Sequence, residues 1–203
     1  MTKIIVQEIH EGNNQFRYRL NAADSWMLLL MALKVKKADV NLSVTLVAPG
    51  ASATIVGLAL GREGSFIRFH TAQIHSAPTT TSNLLVKSVV PENATFLYEG
   101  SIRVEKQAQK TDAYQRNENL LTGDTAHSQS NPSLEILAND VRCTHGAATS
   151  PIPEEELWYL KSRGIGVVNA KKLYIEGYFS SAIDRIDDER QKSQVWQKIR
   201  SAI

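Results

Sequence analysis

The chain has 203 residues, about 42% of them apolar, which is enough for one sizeable core with an appendage and cramped for two independent domains. Its 23 basic and 21 acidic residues are spread along the chain and leave a formal charge of +2, so no electrostatic footprint for nucleic acid stands out. One cysteine cannot close an intramolecular disulfide or supply a thiolate-only metal site, and MTKIIVQEIHEGNN has no basic, apolar, small-residue order of a secretory signal; a reducing, cytoplasmic setting is expected.

From Lys3 to about Gly146 the chain reads as short β runs: KIIVQEI, QFRYRL, WMLLLMAL, VNLSVTLVA, ATIVGLAL, SFIRFHTAQI, NLLVKSVV, ATFLYEGSIRVE and LEILAND. Turn signals such as EGNNQ, APGAS, GREGS and PENA separate them. VNLSVTLV and GSIRVE alternate apolar and polar residues as strands with one wet face do. WMLLLMAL, Trp26 to Leu33, does not alternate; at eight residues it falls far short of the roughly 20 that span a bilayer, and it is expected to be a buried strand. Local pattern leaves a sandwich, a barrel and a stacked β-solenoid all open.

After Pro151 the character changes. PIPEEELWYLKSRG places three glutamates in a first turn, Lys161 and Arg163 in a last turn and Gly164 beyond it, which predicts a helix from Glu154 to Arg163. NAKKLYIEGYF predicts a second helix and AIDRIDDERQKSQVWQKIRSA a third, the latter with Ile183, Ile186, Val195 and Ile199 as an apolar stripe broken by a solvated charged run.

No phosphate-binding loop, H-E-x-x-H or G-x-S-x-G template occurs, and no catalytic residue is assigned. Of the five histidines, His10, His70, His75 and His127 read as hydrogen-bonded structural groups. His70 and His75 stand five apart in one run, so they face opposite ways and cannot share a metal without a bulge. Cys143 and His145 differ: at i and i+2 of a strand they project from one face, about 6–7 Å apart along it. A soft thiolate beside an imidazole can form half of a site for iron, copper or zinc, although a lone cysteine is commonly just a buried, inert thiol.

Gln109 to Ile165, with QKTDAYQ, NLL, P-LEI-A-DV-C-HGA and EE-L-YL-SRGI in order, followed by L-EGYF, resembles the C-terminal core of the SufB/SufD family of iron–sulfur cluster assembly proteins. Weaker similarity runs upstream through HTAQIHSAPTTTSNLLVKSV to about Asn41. The resemblance implies a right-handed parallel β-helix over residues 1–148 and a small C-terminal α-helical domain over 149–203. It implies a non-catalytic scaffold that pairs with a SufB-type subunit, docks the SufC ATPase, and builds and transfers a nascent Fe–S cluster. Within the family the chain looks SufD-like and short: the segment where the B component carries a cysteine has Asn117 and its neighbours, and Gly146 stands where the B component has a glutamate.

Under that resemblance Cys143 and His145 are the candidate cofactor-binding and metal ligands, a partial set completed across a subunit interface. Leu157, Trp158, Tyr159, Leu160, Arg163, Leu173 and Tyr174 are the candidate partner-binding residues. Gly166, Val167 and Val168 depart from the polar cap and acids of relatives; the valines either meet a partner or pack on the β body. No flavin site can be named. The alternatives are a homodimer acting without a separate SufB and, remotely, a β-solenoid polysaccharide-active enzyme using Glu92, Glu99, Glu105 or Glu135.

Overall fold

The computed structural model describes residues 2–203. Eleven strands come first: β1 (Lys3–Glu8), β2 (Gly12–Leu20), β3 (Ser25–Leu33), β4 (Lys37–Leu46), β5 (Ser52–Leu60), β6 (Phe66–His75), β7 (Thr81–Val90), β8 (Thr95–Val104), β9 (Thr111–Leu121), β10 (His127–Ile136) and β11 (Val141–Pro151). Three helices follow: α1 (Glu154–Ser162), α2 (Val167–Ile183) and α3 (Glu189–Ala202). The odd strands form one six-stranded sheet in sequence order and the even strands a five-stranded sheet opposite. Every pairing is parallel. Each turn of chain therefore adds one strand to each sheet, and the body is a parallel β-solenoid, which resolves the three-way choice left by local pattern.

In-register stacking makes columns of side chains. His145 tops a column that descends through Gln115, Leu84, Ile55 and Leu28 to Ile5, and Cys143 tops one through Ala113, Ser82 and Ala53 to Trp26. The lower lumen is apolar, with Leu28, Leu30, Val40, Leu42, Val44, Ile55, Phe69, Leu84 and Phe96 all buried. Corner residues carry the sharp bends; Gly64 (φ 67°) and Lys110 (φ 59°) are left-handed, a conformation glycine adopts freely and lysine only under tertiary constraint.

The helices explain the unbroken run of β3. Leu28, Leu30 and Ala32 face the lumen, while Met27, Leu29 and Met31 face outward and join Val56, Leu58, Leu60, Leu85 and Val89 beneath Ile175, Phe179, Ile183, Val195 and Ile199. The central odd strands β3, β5 and β7 are thus buried on both faces over most of their length, as strands of parallel sheets usually are, and alternation fades there. β1, β9 and β11 keep half-buried or exposed outer positions. The even sheet keeps a wet outer face, so β4 and β6 alternate buried and half-buried positions throughout. Each buried leucine or isoleucine in the helix–sheet seam contributes about 2 kcal/mol, so the helices are held by sheet contact more than by propensity.

The first helix forms where expected and ends in a Schellman motif. Gly164 (φ 82°) donates to the Lys161 carbonyl at 2.9 Å and Ile165 to the Leu160 carbonyl at 3.1 Å. The third helix differs from the expectation of one run from Ala182. The DRIDD segment turns instead, α2 extends to Ile183, and Asp188 caps a separate α3 by accepting from the Gln191 amide at 2.8 Å. LEILAND also differs: the strand is His127–Ile136, and Leu137 to Asp140 turn the corner into β11. β9 went unpredicted because its inward side chains are polar.

Candidate cluster site on the last rung

β10 and β11 close the final turn, and among the described residues no further strand stacks on either. Leu134 and Ile136 lie in register with the fully buried Ile102 and Val104, yet are 37% and 39% exposed because nothing covers them. On β11, Cys143 and His145 lie in register with the lumen-facing Ala113 and Gln115, so both project over the open end. Cys143 is half-buried against Ala113, Ile102, Val104 and Ala138, whereas His145 is exposed. Cys143 and His145 therefore share one face of β11, on a rung that no further strand covers among the described residues.

Burial chiefly raises the Cys143 thiol above its ordinary pKa and the Asp112 carboxylate adds to this, while a backbone hydrogen bond at Ala113 works the other way. The resting group is a protonated thiol, which a bound metal ion would have to deprotonate to use as a ligand. Asp112 itself is tied to Arg142, whose guanidinium holds that carboxyl below its usual range. Among the described residues no three His, Cys, Asp or Glu side chains converge as a metal site, so Cys143 and His145 are at most part of one.

Sequence reasoning missed the polar floor beneath this rung. Asn119 donates to Ser130 at 3.0 Å and to Thr149 at 3.1 Å, accepts from Ser88 at 2.7 Å, and pairs with Asn117, which also accepts from Ser130. Ser130 belongs to one sheet and Thr149 to the other, so the network stitches the two sheets together at their open end. The signal was the period-2 set Gln115, Asn117, Asn119 in TDAYQRNENLL, a strand whose inward side is amide rather than aliphatic.

The helices present a second surface. Trp158 is 70% exposed and Val168 68%, with Tyr159, Val167 and Leu173 also exposed. The two valines thus face outward rather than packing on the β body. Leu157, Leu160 and Tyr174 are half-buried, and the Arg163 guanidinium lies over the Tyr159 ring at 5.3 Å. Leu160, Leu173, Tyr174, Gly177 and Tyr178 line an apolar groove of about 400 Å³ between α1 and α2. The glutamates considered for glycan chemistry are engaged elsewhere. Arg103 bridges Glu105 and Glu135 at 2.8 and 3.1 Å, Glu99 meets His70 at 3.0 Å, and Glu92 clamps the backbone at Asp124 and Thr125.

Residues 7–178 match the family described as SUF system FeS cluster assembly, SufBD core domain. The chain belongs to the SufB/SufD family. It is 33% identical over 159 residues to the iron–sulfur cluster assembly protein SufD of Escherichia coli, covering 78% of this chain and 38% of that protein. It is 30% identical over 203 residues to a SufBD family protein of Synechocystis, covering 90% and 44%. A chloroplastic protein of Arabidopsis thaliana, ABCI7, is 26% identical over 186 residues. The chain spans less than half the length of these SufB/SufD-family relatives. No helix among the described residues is long and apolar enough to cross a membrane.

Proposed function

We propose that the chain is a SufD-like, non-catalytic scaffold subunit on which a nascent Fe–S cluster is assembled and passed on. Two uncovered edge strands, apolar Leu134 and Ile136, and the thiol and imidazole of Cys143 and His145 share one end of the solenoid. That coincidence carries the reading. A second family subunit seated on this end, either a SufB-type chain or another copy, would complete a ligand set that one thiol and one imidazole cannot satisfy alone. The exposed Trp158, Tyr159 and Leu173, with the groove beside them, would receive a SufC-type ATPase.

The test is anaerobic reconstitution of the full chain with the ATPase, with and without a SufB-type subunit, followed by absorption spectroscopy and sizing by light scattering. Cys143→Ala combined with His145→Ala is expected to abolish cluster absorbance while leaving circular dichroism and complex size unchanged. Undiminished cluster formation in that double variant removes the site assignment. A stable, cluster-bearing complex without the SufB-type chain selects the homodimer.

A further inference from the structure

Of the three helices only α2 contains a glycine, Gly177, and it stands in the helix interior. An interior glycine weakens a helix relative to alanine, so it calls for a local reason. Neither usual reason applies. Gly177 is not in the left-handed region, and a Cβ built on it would meet nothing within 4 Å outside its own helix. Backbone conformation and internal packing would both accept a side chain there.

Gly177 is exposed, and it lines the apolar groove of about 400 Å³ together with Leu160, Leu173, Tyr174 and Tyr178. The Tyr178 side of the groove is held from behind. Lys87 grips Tyr178 twice, its ammonium lying 2.7 Å from the carbonyl oxygen and 4.3 Å from the ring centroid, and the Phe179 ring packs beside it at 5.5 Å. Cations flank the lining: Lys161, Arg163 and Lys172 are exposed, and none forms an ion pair among the described residues. We propose that Gly177 is the point of closest approach for the ATPase partner, where an apolar side chain flanked by carboxylates inserts over bare helix backbone and against the Tyr178 ring. The missing side chain gives the groove its depth at that point, and the unpaired cations meet the carboxylates around it.

This inference rests on the docking reading above and adds its contact point. The test is calorimetric titration of the full chain with the ATPase, beside thermal melting of the chain alone. Gly177→Ala is expected to melt no lower than the wild type, alanine being the better helix former, yet to bind at least about tenfold more weakly, and Gly177→Leu more weakly still. A merely structural glycine would move stability and affinity down together. Binding should also weaken as salt is raised. Wild-type affinity in Gly177→Leu, or a lowered melting temperature in both variants, overturns the proposal while leaving ATPase docking in place. Salt-independent binding overturns the carboxylate-bearing occupant, and a wild-type chain that binds no ATPase removes the docking reading and this inference together.

Discussion

His75 shows how much one interior side chain can carry. Its ring nitrogens each lie 2.8 Å from a hydroxyl, Thr80 on one side and Ser82 on the other, and burial depresses its pKa from 6.5 to about 4. The folded chain resists protonating this ring while the unfolded chain accepts a proton below about 6.5. The stabilisation is therefore complete above pH 6.5 and is lost progressively as pH falls towards 4, by about 3 kcal/mol at most. Denaturant titrations from pH 7.5 to 4.5 should show that decline, and it should flatten in His75→Gln. An unchanged slope in the variant would assign the acid sensitivity elsewhere. That Cys143 and His145 share a strand face was readable from their i, i+2 spacing; the meeting of Gln73 and Gln115 inside the lumen was not, because only the fold brings β6 and β9 together.

At the scale of elements, the seam between α2 and the odd sheet contains a buried charge. Lys87 on β7 donates to the Tyr178 carbonyl at 2.7 Å, pairs with Glu118 on β9 at 2.8 Å and lies over the Tyr178 ring. Burial alone would raise the Glu118 carboxyl, but Lys87 and Arg116 hold it below its ordinary value. Removing one partner leaves the other uncompensated, so Lys87→Ala should cost about 3–5 kcal/mol, and Lys87→Met with Glu118→Leu much less, in chemical denaturation. Equal losses would mean that the pair is solvated in solution. On the outer side of the same helices, Trp158→Ala and Leu173→Ala should weaken ATPase capture at least about tenfold with no change in melting temperature, as truncation of exposed aromatic and aliphatic anchors does. The α1 boundary was legible because its charges and Gly164 obey helix-end rules; the α2–α3 break was not, because the charged segment resembles a solvated helix face and the turn is fixed by Ile186 packing on the sheet.

For the whole molecule, a solenoid passes each strand's hydrogen bonds to the next turn, so its end is where unmet backbone groups gather. Here that end also carries Leu134 and Ile136. Leu134→Lys with Ile136→Lys should block subunit pairing in sedimentation velocity while leaving the fold intact, because both side chains are already partly in solvent. Pairing undisturbed by those charges would move the interface elsewhere. The exposure of this end could not be read from sequence, since it depends on where stacking stops rather than on local pattern. The same end is geared to the helices: β11 finishes at Pro151, α1 starts at Glu154, and only Ile152, buried in the helix–sheet seam, and Pro153, with its fixed φ, lie between. A tug on α1 would arrive at the strand bearing the thiol and imidazole with almost no slack, as a crank turns its shaft.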